Sequence, residues 1–146
     1  MSARQIRDYV ADARRDPSTE NIQALWRSVF MLKGWYFLPS RSDEGPAYPT
    51  VSTIEGRPWL LAFTDVRRIK AFAKKTGRLA DDGTVPLLVL DPLESMQRIL
   101  EVRQSIDGVI FNLDSDATFR APVDALEAYA RHFGVPLDGD LPPELE

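Results

Sequence analysis

Three short apolar runs, at 59–63, 85–90 and 109–113, are each followed by residues with helix-like apolar spacing, and this alternation limits the fold more than any other feature of the chain. Apolar runs without a polar residue at every second position describe strands covered on both faces. Helical crossovers packed against a largely parallel sheet produce such strands. The order β-α-β-α-β-α over 59–134 therefore predicts an α/β domain.

Each covering helix carries its own start signal. Asp65 precedes a helix whose inward face is Val66, Ile69, Phe72 and Ala73, closed by Gly77. Asp91 and Pro92 precede one facing inward with Leu93, Met96, Ile99 and Leu100. Ala121 and Pro122 precede one with Val123, Leu126, Tyr129, Ala130 and Phe133, before Gly134. Upstream, 3–15 reads as a peripheral helix with one narrow apolar face. Asp16 and Pro17 should start a second helix, with Ile22, Leu25, Trp26, Val29, Phe30 and Leu32 toward the core. The aromatic stretch 35–38 and the β-branched stretch 48–54 read as strands joined by a polar loop over 39–47. A turn at 55–58 then feeds the strand beginning at Trp59.

The expected architecture is a single α/β domain with a mixed, largely parallel sheet of about five strands, two N-terminal helices and three covering helices. Its organisation is a peripheral helix over 1–16, the domain proper over 17–134 and an acidic, proline-containing tail over 135–146 expected at the surface. A chain of 146 residues that is 44% hydrophobic supports one core rather than two. It contains no cysteine, which excludes disulfides, thiolate metal sites and cysteine nucleophiles. Neither a signal-like apolar segment nor a membrane-spanning run is evident, so the expected location is the cytoplasm.

The net charge of −4 is unevenly spread. Between 57 and 78 lie seven basic residues, Arg57, Arg67, Arg68, Lys70, Lys74, Lys75 and Arg78, against the single acid Asp65. From 79 onward four basic residues face fourteen acids. Six of those cations, Arg67, Arg68, Lys70, Lys74, Lys75 and Arg78, fall on one arc of the first covering helix, with no acid four residues away within the helix to neutralise them. Such an arc can meet an acidic partner, the chain's own acidic half, or solvent alone. Nucleic acid is not expected, because no aromatic residues interleave the arc and the domain is acidic overall.

The succession Trp35, Tyr36 and Phe37 puts aromatic side chains on both faces of a strand. Left uncovered, Trp35 would form a patch suited to a partner or to self-association; packing beneath Trp26 and Phe30 is the other explanation.

The chain resembles the N-terminal domain family of SseB, the bacterial enhanced serine sensitivity protein B. The resemblance rests on the helix over 21–30, the strand Trp35-Tyr36-Phe37-Leu38-Pro39, the segment from Gly56 to Asp65 and the segment from Asp107 to Asn112. Leu113 stands where that family usually has proline. The resemblance implies a small bacterial α/β domain, often encoded near secretion or toxin-related genes and without established catalytic residues. Thr64 and Asn112 match the family's polar strand ends, where fold maintenance is the first role to consider.

In parallel α/β sheets ligands collect at the carboxyl ends of strands. There Asp65, Asp91, Asp114 and Asp116 could hold Mg²⁺ for phosphate chemistry, although Asp65 and Asp91 are equally natural helix caps. His132, late in the last helix, suits the negative end of the helix dipole better than catalysis. Ser115 lacks a nucleophile elbow, and no glycine-rich phosphate loop follows any strand. No cofactor is expected. The leading expectation is a non-catalytic bacterial interaction or regulatory module that binds a protein through the basic arc and Trp35. The alternative is a Mg²⁺-dependent phosphate-handling or small-molecule-binding enzyme built on the four aspartates.

Overall fold

A computed structural model describes residues 5–39 and 48–137. The polar loop beyond Pro39 and the acidic tail beyond Leu137 lie outside the described residues. Five α-helices, α1 (Ile6–Arg15), α2 (Thr19–Phe30), α3 (Val66–Lys75), α4 (Pro92–Glu101) and α5 (Val123–His132), accompany six strands: β1 (Trp35–Phe37), β2 (Val51–Ile54), β3 (Arg57–Ala62), β4 (Leu88–Leu90), β5 (Gly108–Phe111) and β6 (Phe119–Pro122). None of the described helices is long and apolar enough to cross a membrane.

The central strands are as buried as their apolar runs require. Trp59, Leu60, Leu61, Ala62 and Phe63 are all buried, as are all four residues of β5. Alternate residues serve two cores. Leu60, Ala62, Val109 and Phe111 face a large one built by Leu25, Trp26, Val29 and Phe30 of α2, Met96 and Ile99 of α4, and Leu126 and Ala130 of α5. Trp59, Leu61, Phe63 and Ile110 face a smaller one closed by Ile69, Phe72 and Ala73 of α3. With Val10 of α1, four helices thus reach one side of the sheet, while on the other α3 packs together with Leu38, Val85 and Leu87. At about 1.5 Å per residue the ten residues of α3 span only about 15 Å.

The sheet is mixed, but it is not largely parallel. A four-stranded sheet runs β2-β3-β5-β6 and a two-stranded one pairs β1 with β4; among the described residues only β3 and β5 pair in parallel. The reason is an insertion. β1 attaches to the end of β3, where Tyr36 and Phe63 exchange two backbone hydrogen bonds of 2.8 Å, and β4 lies beyond β1. β3, β4 and β5 therefore do share a direction, but antiparallel β1 separates β4 from β3. The chain from β3 through α3 to β4 skips one strand.

Three boundaries also differ from expectation. β6 was not anticipated, because Phe-Arg-Ala-Pro at 119–122 carries no recognisable period. α2 starts two residues later than Asp16 and Pro17 suggest: Ser18 Oγ accepts from the Asn21 N–H at 3.2 Å, and Asp16 instead terminates α1. The first residues of the expected surface tail pack inward, with Leu137 at the edge of the large core. The helix starts at Asp65 and Asp91 are as expected, each carboxylate accepting from the third backbone N–H of its helix at 2.8 Å.

Candidate functional site

The polar ends of β3 and β5 are locked to each other. Asn112 is fully buried and left-handed, with φ of 57°. Its Oδ1 accepts from the Thr64 N–H at 2.9 Å, and its Nδ2 donates to Thr64 Oγ1 at 3.0 Å and to the Ala117 carbonyl at 3.3 Å. The Asn112 carbonyl in turn accepts from the hydroxyls of Ser115 at 2.7 Å and Thr118 at 2.8 Å. Ser115 Oγ also accepts from the Ala117 N–H at 3.1 Å, so its hydroxyl is engaged in shaping the turn. Thr64 and Asn112 hold the β5–β6 turn in place.

That turn delivers acid to the basic helix. Asp116 Oδ1 lies 3.2 Å from Arg68 Nη2, while Asp65 bonds the same guanidinium from the helix start. Asp114, at φ of 63°, sits 3.4 Å from Lys75 Nζ. Arg78, just beyond the helix, donates to Thr50 Oγ1 at 2.8 Å. Of the alternatives open to the arc, the chain's own acidic half thus meets part of it. Three of its six cations are satisfied within the fold, one by an acid three residues upstream and two by groups remote in sequence. The Asp65 contact was legible at i−3; the acids of the turn were not, because nothing local ties 114–116 to α3.

The electrostatics of Arg68 are those of a partly desolvated ion pair. Its side chain is only 9% exposed. Burial lowers its pKa, but the hydrogen bonds and charges of Asp65 and Asp116 outweigh that and leave it above the usual guanidinium range. Asp116 is held below the ordinary aspartate range, chiefly by the hydrogen bond from Arg68 and also by its charge. A depressed carboxylate contributes stability above its unfolded-state value, about 3.9, and loses it as pH falls through the lower folded midpoint. Titrating the Asp116 carboxyl by NMR is expected to give a midpoint below that of a free aspartate, and Arg68→Met should return it to the ordinary range. A midpoint unchanged by the substitution would assign the shift to something other than Arg68.

The four aspartates do not gather around a common vacancy. Asp65 and Asp116 meet at Arg68, Asp114 meets Lys75, and Asp91 caps α4. Among the described residues no three His, Cys, Asp or Glu side chains stand together as a metal-ligand set. The groove between α3 and the turn, about 390 Å³, is lined by Arg67, Arg68, Lys75, Asp114 and Asp116. His132 lies exposed at the end of α5, its ring 4.8 Å from that of Phe133.

Trp35 is not a surface residue. It is fully buried, its ring 5.4 Å from Phe30 and 5.1 Å from Phe111, and its Nε1 donates to the Val29 carbonyl at 3.0 Å. The aromatic patch expected at β1 is closed by α2 and β5. Outward on α3 remain Arg67, Lys70 and Lys74, all exposed. Their spacing of three and four residues places them on one stripe, and no ion pair forms to them among the described residues.

A second concave surface, unforeseen in the sequence, lies at the opposite end of the same sheet face. There α3 no longer covers the strands, and a cleft of about 700 Å³ opens over Trp59, bordered by Arg57, Arg103 and Arg120. Its one sequence signal is Gly108 inside β5, since a glycine within a strand marks close approach of another group.

Compared with known proteins, the chain matches no family model, no curated protein and no solved structure.

Proposed function

We propose that the protein is a non-catalytic bacterial interaction module that binds an acidic surface of another protein through Arg67, Lys70 and Lys74 on the outer stripe of α3. The observation that carries this reading is the division of the basic arc. Arg68, Lys75 and Arg78 are tied into the fold, whereas Arg67, Lys70 and Lys74 stay exposed and close to one another. Like charges three and four apart destabilise an isolated helix by a few tenths of a kcal/mol per pair, a cost with no structural return here. Fixed on a short, well-packed helix, the stripe steers an acidic partner and sets its register. The resemblance to the SseB N-terminal domain family supports a bacterial module without catalytic residues. Phosphate chemistry on Mg²⁺ at Asp65, Asp91, Asp114 and Asp116 draws no support from the geometry, since arginine and lysine engage three of these carboxylates.

The test is a pull-down from extracts of the native organism with wild type, the double variant Lys70→Glu with Lys74→Glu, and Lys33→Glu as a charge reversal outside α3. The partner should be lost with the double variant, at a cost of roughly tenfold or more in affinity, and kept with Lys33→Glu. Its association should slow as salt is raised. An unchanged set of partners in the double variant overturns the proposal.

A further inference from the structure

We infer that the cleft over Trp59 is a binding site for a small organic anion, a carboxylate or phosphate carried on an apolar body, with Arg120 as the group that receives the charged head. The site follows from the uneven cover of the sheet. Strand registers put Ile54, Arg57, Trp59, Gly108, Arg120 and Pro122 on the face that α3 covers only at its other end. A cleft of about 700 Å³ remains, within the range of small-molecule sites.

Its floor is purpose-shaped. A Cβ on Gly108 would lie 2.6 Å from the Trp59 ring, so the indole can cross β5 only because that residue is glycine. The Arg120 guanidinium lies over the ring, 5.0 Å from its centroid. An arginine held over an aromatic ring keeps N–H donors with which its planar fork can engage an oxyanion in bidentate fashion.

The neighbouring charges single out Arg120. Arg57 is paired with Asp107 at 3.0 Å, and Arg103 with Asp124 at 2.8 Å and Glu127 at 3.3 Å. Arg120 lines the same cleft with no acid on it among the described residues. Glu55, on the β2–β3 turn at the rim, opposes bare anions, so the apolar walls at Ile54 and Pro122 have to contribute. The site therefore selects an anion with an apolar body over inorganic phosphate. It is independent of the α3 stripe, because Arg67, Lys70 and Lys74 border no part of this cleft.

The experiment is an NMR titration of the whole chain with phenyl phosphate, benzoate, inorganic phosphate and phenol at millimolar concentration. It follows the Trp59 indole N–H and the Arg120 Nε–H. Saturable shifts of both signals are expected with phenyl phosphate, benzoate or both, which distinguishes the two head groups. Inorganic phosphate should bind at least tenfold more weakly and phenol should leave the signals in place. Arg120→Gln should weaken binding at least tenfold, Arg120→Lys should weaken it by removing the planar fork, and Arg67→Gln should leave it unchanged. No saturable shift with either organic anion in wild type, or shifts that survive Arg120→Gln, overturns the inference.

Discussion

Gly108→Ala is expected to unfold most of the population at ambient temperature or to lower the melting temperature by more than 10 °C, corresponding to roughly 4 kcal/mol or more for a chain of this size. The added methyl carbon would sit 2.2 Å from the Ala121 carbonyl oxygen, 2.8 Å from Pro122 Cα and 2.6 Å from the Trp59 ring. The indole could swing aside, but the first two contacts are backbone of β6. Relieving them means separating β5 from β6 where Gly108 opposes Pro122 and Val109 opposes Ala121. β5 lies between the two cores, so its displacement loosens both. Thermal denaturation followed by circular dichroism reads the effect directly. A melting temperature within about 3 °C of wild type would mean that the β5–β6 pair is far more compliant than packed interiors are.

Asn112→Ala should cost about 3–7 kcal/mol, the sum of two kinds of loss. The Thr64 N–H and the Ala117 carbonyl lose their buried partner, at about 1–3 kcal/mol each. Alanine must also adopt φ near 57°, which asparagine tolerates better, at about 1 kcal/mol. Asn112→Gly separates the contributions: it removes the hydrogen bonds but relieves the backbone, and should be about 1 kcal/mol more stable than Asn112→Ala. Both variants should also free the acidic turn, so the Asp116 carboxyl should titrate closer to an ordinary aspartate as its contact with Arg68 loosens. Denaturant unfolding measures the stability differences. Equal stabilities for Asn112→Ala and wild type would mean that Asn112 does not hold the strand ends together.

These two residues differ in how far their importance could be read along the chain. Asn112 ends an apolar run and precedes a turn rich in Asp and Ser, so its place at a strand end was legible. Its triple engagement with Thr64, Ala117 and the turn was not. Gly108 immediately precedes the same run, but the ring that crosses it comes from Trp59, 49 residues earlier (108 − 59). The basic arc was legible as an arc, since helical spacing is a local property. Its partial neutralisation depended on Asp114 and Asp116 arriving from the far side of β5, a pairing between Arg68 and Asp116 that spans 48 residues.

The sequence by itself determined what local chemistry decides. Asp65 and Asp91 begin helices because an aspartate can satisfy free backbone N–H groups two or three residues ahead. α3 has one apolar and one basic side because of its 3.6-residue period. The runs through Leu60 and Ile110 are covered on both faces because nothing polar interrupts them. Only the tertiary structure decided which strand lies beside which, because an apolar run does not encode its neighbour. Antiparallel β1 could therefore enter between β3 and β4, and the short β6 could close the other edge. Tertiary packing alone likewise buried Trp35, placed Asp116 on Arg68 and opened a cleft beside Trp59 and Arg120. Each of these results joins groups far apart in sequence, and their proximity is set by the packing of whole elements rather than by the residues on either side.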